Sequence, residues 1–152
     1  MRASWPTSAR LRFAESVVKE SMRLYPPAWG IGREALRECD IGGYRVPRGT
    51  QVFAFTWVTH RDERFFERPE EFRPERWTDD LTRRLPKFAY FPFGGGPRVC
   101  IGQQLAMTQA TLILATVAQR FRLRLAPDAD VRPFPALTLR PRGGVPVVLE
   151  KQ

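Results

Sequence analysis

Cysteine and histidine are scarce in this chain of 152 residues, which contains two cysteines and one histidine. Cys39 and Cys100 alone exclude a disulfide-rich scaffold. A zinc site built from cysteine and histidine is excluded as well, because His60 is the single histidine and these three residues lie far apart in sequence. We therefore expect a chain whose thiols stay reduced, as in the cytoplasm.

Long hydrophobic runs are also missing. No apolar run approaches the roughly 18 residues that a membrane-spanning helix needs, so the sequence predicts no membrane segment. Residues 1–12 lack the apolar stretch of a secretory signal. Hydrophobic residues still make up 43% of the chain, which is enough for a folded core and argues against disorder. The length suits one domain at most.

The positive charge is large but dispersed. Lys and Arg number 25 against 16 Asp and Glu, a formal net charge of +9. Acidic residues stand among the basic ones, as in Arg73-Pro74-Glu75-Arg76, which is typical of a solvated surface. We expect no nucleic-acid partner, and a small basic nucleic-acid-binding module remains the less favoured alternative.

Proline and glycine punctuate the chain heavily, with 14 and 11 copies. This composition favours few helices and many connections, and the pattern predicts an α+β fold. Two segments free of both residues predict helices, the second long and buried, while short strands, one or two helical turns and an irregular loop fill the rest. In order, the predicted segments are a helix at about 9–25, strands within about 28–58, helical turns at 60–66, a loop at about 67–92, a cysteine-containing loop at 93–102, a helix at about 101–121 and strands within about 122–149.

The first helix carries a charge where an apolar residue is expected. Phe13, Val17 and Leu24 form an apolar stripe at helical spacing, and Glu20 falls inside it. A carboxylate on a buried face needs a partner, and Arg23, three residues on, is within reach.

Cys100 carries the strongest chemical signal. It follows three consecutive glycines and precedes the second long helix, in the run Phe93-Gly94-Gly95-Gly96-Pro97-Arg98-Val99-Cys100-Ile101-Gly102. The free amides and positive dipole end of a helix N-terminus stabilise a thiolate. The glycines allow the backbone to approach a flat group, and Arg98 suits a carboxylate or phosphate. This pattern favours a soft thiolate ligand to a metal centre that bears anionic groups.

Two different kinds of site fit this loop less well. A phosphate-binding loop would need Gly-Lys followed by Ser or Thr before the helix, and none of these is present here. A cysteine hydrolase would need a supporting histidine, and only His60 exists. A buried structural cysteine is the remaining alternative for Cys100. His60 itself is interpreted as a packing or capping residue.

The cysteine loop resembles the heme-binding signature of the cytochrome P450 monooxygenases. Three further segments resemble family motifs in the same order along the chain. They are Glu20-Ser21-Met22-Arg23, similar to Glu-x-x-Arg of the K helix, His60-Arg61-Asp62, similar to a short helix entry, and Pro74-Glu75-Arg76-Trp77, similar to Pro-Glu-Arg-Phe with Trp for Phe. The likeness runs from about residue 11 to 149 and concerns the C-terminal part of the family fold, with the K helix, small sheets and L helix.

The resemblance implies a cofactor and a set of site residues. Cys100 would be the proximal thiolate ligand of iron in heme b, Phe93 would pack near its sulfur, and Arg98 would pair with a heme propionate. Arg33 is a second propionate candidate that fits a solvated strand residue equally well. The implied cofactor-binding residues are Cys100, Arg98, Phe93, Gly94, Gly102 and Arg33. Residues 28–32 and 137–138 match segments that line the substrate side.

The resemblance also implies a structural network and partners. Glu20, Arg23 and Arg76 would form one buried cluster that locks the loop before Cys100 onto the first helix. The implied activity is a monooxygenase acting on paired donors with incorporation of molecular oxygen. A small hydrophobic substrate and an electron-transfer partner, either ferredoxin, flavodoxin or a flavin reductase, would serve the full-length parent. Lys87, Arg83 and Arg84 are candidates for docking an acidic partner.

One family motif is missing from the sequence. No Ala/Gly-Gly-x-Asp/Glu-Thr segment of the oxygen-activating I helix occurs in the 152 residues. We expect the chain to be a heme-ligating portion of a monooxygenase, or alternatively an inactive heme-binding remnant. We also expect that the packing partners of apolar residues within 52–58 and 103–121 are helices that this sequence does not contain.

Overall fold

The computed structural model describes residues 8–152. Residues 1–7, which belong to the segment predicted not to be a secretory signal, lie outside the described residues. Helices and small antiparallel sheets are mixed along the chain, which confirms the predicted α+β class. The helices are α1 (Ser8–Leu24), α2 (Thr56–Thr59), α3 (Leu81–Arg84) and α4 (Gln103–Ala118), with 3-10 turns at Pro74–Trp77 and Gly96–Arg98.

Eight short strands form four two-stranded antiparallel ladders in the described part of the chain. They are β1 (Ile31–Glu34), β2 (Cys39–Ile41), β3 (Tyr44–Val46), β4 (Gln51–Ala54), β5 (Phe121–Leu125), β6 (Pro133–Pro135), β7 (Leu139–Pro141) and β8 (Val147–Lys151). The pairs are β1 with β4, β2 with β3, β5 with β8 and β6 with β7. Gly42 and Gly43, both at positive φ (60° and 84°), make the tight β2–β3 turn.

The two long helices follow the sequence signals that predict them. α1 runs through the segment without proline or glycine and ends just before Pro26-Pro27, which cannot continue a helix. α4 starts directly after Gly102, which occupies the N-cap position. The two helices pack against each other, and α1 also contacts the Pro74–Trp77 turn. This arrangement places α1 between the cysteine loop's helix and the irregular segment that precedes the loop.

The buried face of α1 is more polar than the sequence stripe predicts. Glu20 and Arg23 have no exposed surface, and Ser16 is buried as well. The expected burial of Phe13 is wrong, because its side chain is 53% exposed. The reason is that α1 packs on turns and carbonyl groups of residues 60–77, which select hydrogen-bonding side chains rather than apolar ones.

α4 is not the buried helix that its composition predicts, and its exposure agrees with the expectation that apolar residues within 103–121 lack packing partners in this sequence. Ala115 is the one buried residue of α4, and Leu105 and Ile113 are each 63% exposed. α4 packs mainly against α1 and β5 among the described elements, so its remaining sides face solvent. Phe53 and Val58 are likewise exposed, in line with the expectation that these apolar positions lack a packing partner within the sequence.

The total surface reflects this open packing. The accessible area is 11,748 Å², whereas a compact monomer of 17.5 kDa would expose roughly 7,900 Å² by the usual scaling of surface with mass. Large apolar side chains on α4 and the strands are among the exposed residues, including Leu105, Ile113, Phe53 and Leu149.

Several predicted segments differ in detail. The helical turns expected at 60–66 are found in part: the Phe66 N–H donates to the Asp62 carbonyl at 3.0 Å, which closes one helical turn, and the short helix α2, whose C-cap is His60, lies just before it. The loop at 67–92 contains two helical turns rather than being wholly irregular. β6 is not among the predicted strands because it contains two prolines, which an edge strand of a two-stranded ladder tolerates. No described helix has both the length and the hydropathy to cross a membrane.

Candidate functional site

The cysteine loop is held by hydrogen bonds within its own backbone. Gly94 N–H donates to the Phe91 carbonyl at 2.9 Å, and Cys100 N–H donates to the Phe93 carbonyl at 3.0 Å. Gly94 and Gly96 adopt positive φ values of 76° and 67°, which glycine accepts at no steric cost. The loop therefore folds back on itself and presents an exposed Cys100 thiol just before α4.

Gly95 is needed for packing rather than for an unusual φ. A Cβ atom built on Gly95 would lie 2.3 Å from the Phe88 ring, so any side chain there would displace that ring. Gly102 differs, since a Cβ there would lie 3.8 Å from the Cys100 Sγ atom, an ordinary contact distance. Gly95, which is not among the predicted cofactor-binding residues, is thus a loop glycine at which no side chain fits beside Phe88.

Cys100 opens into a cleft of about 710 Å³, within the range of roughly 300–1,000 Å³ typical of ligand sites. The cleft brings together five of the six predicted cofactor-binding residues, and Gly102 lies outside its lining. The lining residues used below are Cys100, Arg98, Phe93, Gly94, Arg33, Ala28, Ile31, Gly32 and Thr138. We call this the Cys100 cleft. Leu137, which the resemblance groups with Thr138, is 98% exposed and does not line it.

The donor set of the Cys100 cleft restricts what could bind there. The described residues contain no group of three or more His, Cys, Asp or Glu side chains that could hold a metal ion. Cys100 therefore offers a single protein ligand, and a metal bound to it would have to bring most of its ligands along. Arg33 and Arg98 line the same cleft and suit anionic substituents. A flat, metal-bearing macrocycle with carboxylates fits this combination.

Glu20 lies at the centre of a second arrangement, behind the loop. Arg23 donates to both Glu20 oxygens, from Nε and Nη2, each at 2.9 Å. Arg76 Nε adds a bond of 3.0 Å and the Arg73 N–H one of 2.8 Å. Trp77 Nε1 donates at 2.9 Å. We call these five residues the Glu20 cluster, and it brings together Glu20, Arg23 and Arg76 as the resemblance implies.

The electrostatics of the Glu20 cluster favour the ionised carboxylate. Burial by itself raises the pKa of Glu20, but the hydrogen bonds from Arg23, from the Arg73 N–H and from Trp77 outweigh it, so the pKa is lowered overall. Because both oxygens of this buried carboxylate have donors, Glu20 remains charged in the folded chain.

The arginines of the cluster extend the attachment to the irregular segment. Arg23 Nη1 donates to the carbonyls of His60 at 2.8 Å and Pro69 at 2.6 Å, and its Nη2 donates to Glu71 at 3.0 Å. Arg76 Nη1 donates to the Glu67 carbonyl at 2.9 Å. These bonds fix backbone that has no ladder or helix of its own, so the Glu20 cluster ties residues 60–77 to α1.

Trp77 has a function in this region that the sequence did not predict, and His60 makes a hydrogen bond in addition to the packing or capping role expected for it. Trp77 donates to Glu20. The only sign of this in the sequence is that Trp77 stands where the Pro-Glu-Arg-Phe motif has Phe. His60, interpreted as a packing or capping residue, is fully buried, and its Nε2 accepts a bond of 2.9 Å from the Phe91 N–H. Burial lowers the pKa of His60 to about 4 and outweighs the Met22 and Arg23 carbonyls, which raise it, while the Arg23 and Arg61 charges act in the same direction as burial.

The candidate basic residues lie on the surface. Arg83, Arg84 and Lys87 are exposed along and after α3, and Arg83 pairs with Asp80 at 2.9 Å. Cys39 is exposed on β2 and does not line the Cys100 cleft.

Comparison with known proteins gives consistent matches. The family model of cytochrome P450 matches residues 2–146. Cyclooctatin synthase of Streptomyces melanosporofaciens is 41% identical over 130 residues, covering 86% of this chain and 28% of that protein. Thromboxane-A synthase of Sus scrofa is 38% identical over 121 residues, covering 80% and 23%. The chain thus spans about a quarter of the length of these relatives.

Solved structures match the fold over its whole extent. The cytochrome P450DA heme domain superposes with a TM-score of 0.86 at 29% identity, covering 99% of this chain and 34% of that one. The retinoic acid bound cyanobacterial CYP120A1 gives a TM-score of 0.87 at 31% identity, covering 100% and 36%.

Replacing Glu20 by alanine should destabilise the fold severely. The change leaves Arg23 buried without its carboxylate, which costs about 3–5 kcal/mol of unfolding free energy. Urea unfolding followed by tryptophan fluorescence measures this. Glu15→Ala on the same helix is the control: its ion pair with Lys19 is solvent-accessible, so the expected loss is a few tenths of a kcal/mol. Equal losses in both variants would contradict the role given to the cluster.

Trp77→Phe should be destabilising although it restores the residue of the family motif. It removes the Nε1 bond to a buried carboxylate, and a bond to a charged group contributes about 1.5–3 kcal/mol. The matched control is Trp29→Phe, which removes an Nε1 bond of the same 2.9 Å length to the neutral Ala136 carbonyl, for about 0.5–1.5 kcal/mol. Unfolding free energies in the opposite order would contradict this assignment.

Stability should fall as the pH drops below about 6.5. The pKa of His60 is about 4 in the folded chain, against an ordinary value of 6.5, so the unfolded chain binds the proton first. The contribution of neutral His60 is complete above pH 6.5 and is lost as the pH falls towards 4, by roughly 2 kcal/mol between pH 7.5 and 5. Unfolding free energies over this range check it, and His60→Gln should flatten that part of the profile. An unchanged slope in His60→Gln would contradict the assignment.

Proposed function

The chain belongs to the cytochrome P450 family, and we propose that it forms the heme-ligating part of a monooxygenase in which Cys100 is the thiolate ligand of the iron. The resemblance found in the sequence is confirmed as a family relationship. Relatives named as monooxygenases, such as cyclooctat-9-en-7-ol 5-monooxygenase of Streptomyces melanosporofaciens at 42% identity, support this kind of function. The cofactor is heme b.

One observation carries the proposal: a single exposed thiol faces a cleft that also holds two arginines. A heme brings four of its own nitrogen ligands and needs one strong axial donor from the protein. Its two propionates need cations, and Arg98 and Arg33 line the cleft with Cys100. Among the other lining residues, Phe93, Gly94 and Ile31 suit a flat apolar ring, and Glu34 is the one acidic side chain of the lining. The residues present therefore fit this group.

Each residue of the cleft has a defined task in this proposal. Cys100 provides the sulfur, and the backbone bonds of its loop hold that sulfur at one position beside α4. Arg98 and Arg33 bind the propionates and so orient the ring. Phe93 lines the cleft with Cys100 and accepts the Cys100 N–H at its carbonyl, so it would supply an apolar ring beside the ligand. When bound, heme activates molecular oxygen, with the thiolate favouring O–O cleavage.

The reaction proposed for the whole protein uses paired donors and incorporates molecular oxygen into a small hydrophobic substrate. Ala28, Ile31 and Thr138 form the wall of the cleft that would face this substrate. Electrons would come from a ferredoxin, a flavodoxin or a flavin reductase. The exposed Arg83, Arg84 and Lys87 suit an acidic partner of that kind.

A second candidate is heme binding without monooxygenation. The sequence contains no acid–threonine motif for oxygen activation, and the Cys100 thiol is open to solvent. A heme held only by these residues would release reduced oxygen instead of transferring it, because water is not excluded from its second face.

Hemin titration of the purified protein tests the ligand assignment. The reduced protein with carbon monoxide should show the shifted Soret band of a thiolate-ligated heme. Cys100→Ser should lose that band, because a hydroxyl is not a soft donor, and Cys39→Ser is the matched control that should retain it. A band that persists in Cys100→Ser, or one of nitrogen-ligated heme in the unaltered protein, would contradict the proposal. With NADPH, a flavin reductase and a small hydrophobic substrate added to the heme-loaded protein, NADPH consumption with no oxygenated product would favour the second candidate.

A further inference from the structure

His60 is a fully buried titratable side chain outside the Glu20 cluster, and the proposed chemistry does not use it. Its ring has no exposed surface and lies between the Tyr90 ring, at 5.0 Å between centroids, and the edge of the Phe91 ring, at 5.4 Å. Its backbone is fixed as well. The His60 N–H donates to the Thr56 carbonyl at 2.9 Å, and its own carbonyl accepts from Arg23 at 2.8 Å.

The ring nitrogens of His60 are used unequally. Nε2 accepts a bond of 2.9 Å from the Phe91 N–H, so the ring is neutral and carries its proton on Nδ1. Nδ1 is buried and makes no hydrogen bond of normal geometry among the described residues, although the backbone carbonyls of Met22 and Arg23 act on the ring as acceptors. A buried donor without a well-formed bond lowers stability. The ring offsets that cost at its other nitrogen, which gives the Phe91 N–H an acceptor that an apolar side chain could not provide.

The bond to Phe91 lies at the root of the cysteine loop. The Phe91 carbonyl accepts from the Gly94 N–H at 2.9 Å, and the Phe93 carbonyl accepts from the Cys100 N–H at 3.0 Å. A run of hydrogen bonds thus leads from Glu20 through Arg23 and His60 to Phe91 and the loop. His60 is hydrogen-bonded to both regions, to Arg23 of the Glu20 cluster through its carbonyl and to Phe91 at the root of the Cys100 loop through its ring.

We propose that His60 is a positioning residue for the Cys100 loop, whose ring acceptor sets the direction in which the backbone leaves Phe91 and thereby the place of the thiol. This inference rests on the proposed function in one respect, because the place of the thiol matters only if Cys100 is the ligand of the iron. It assigns His60 no contact with a metal, since Nε2 is already occupied by the Phe91 N–H. A side chain with an acceptor at the same position should replace the ring, and an apolar one of similar size should not.

Hydrogen exchange of the protein without heme tests this inference. His60→Leu removes the acceptor, and amide exchange of residues 91–100 should rise about tenfold or more, as for loss of one local hydrogen bond. His60→Gln places a carbonyl oxygen near the position of Nε2 and should bring exchange back to within a few-fold of the unaltered protein. The β5–β8 ladder is the internal control and should keep its exchange rates in both variants.

Two results would overturn the inference. One is an equal rise in the loop and in the β5–β8 ladder, which would mean that His60 acts only on global stability. The other is no difference between His60→Leu and His60→Gln in the loop.

A second readout follows the thiol itself in a Cys39→Ser background. The rate of Cys100 modification by a water-soluble disulfide reagent should change several-fold in His60→Leu. In His60→Gln it should return to the rate measured with His60 unchanged. An unchanged rate in His60→Leu would overturn the inference. Both measurements are made without heme. Failure of the unaltered protein to give the thiolate band on adding hemin would therefore count against the proposed function alone.

Discussion

The buried carboxylate of Glu20 is the constraint on which the rest of the structure depends. An ionised carboxylate is expensive to remove from water, and it stays in the interior only when donors surround it. Glu20 has donors from Arg23, Arg76, Trp77 and the Arg73 backbone. Those donors come from α1 and from the Pro74–Trp77 turn with the residue before it, so satisfying one charge forces two distant parts of the chain together.

The same interaction explains why an irregular segment can be ordered. Residues 60–77 contain little regular structure, and their carbonyls would be unpaired in a folded interior. Arg23 and Arg76 supply guanidinium donors to five of these carbonyls, those of His60, Pro69, Glu71, Glu67 and Arg68. The arginines thus replace the ladder that a sheet would provide. The cysteine loop lies further along the chain, with His60 joined to Phe91 at its root.

Apolar packing contributes less here than in most domains of this size. The largest fully buried side chains include Arg23, His60 and Glu20 beside Phe66, while apolar residues of α4 remain exposed. Relatives three to four times longer match the chain over most of its length. The α1 face with its charges and the exposed face of α4 therefore differ: the first organises the chain internally, and the second is apolar surface that the described residues leave uncovered.

The sequence by itself determined the class of the fold, the two long helices and the cysteine loop, because these depend on local signals. Proline pairs end helices, glycines permit positive φ, and a cysteine that precedes a helix can be recognised from the order of the residues alone. Glu20 is recognisable as an anomaly for the same reason, since it interrupts an apolar stripe. Only the tertiary structure decided which face of α1 is buried, and it exposed Phe13 where the stripe predicts burial. Only the tertiary structure also assigned hydrogen-bond partners to Trp77 and His60, because a hydrogen bond between residues 31 or 57 positions apart depends on the packing of the whole chain and leaves no periodic mark on the sequence.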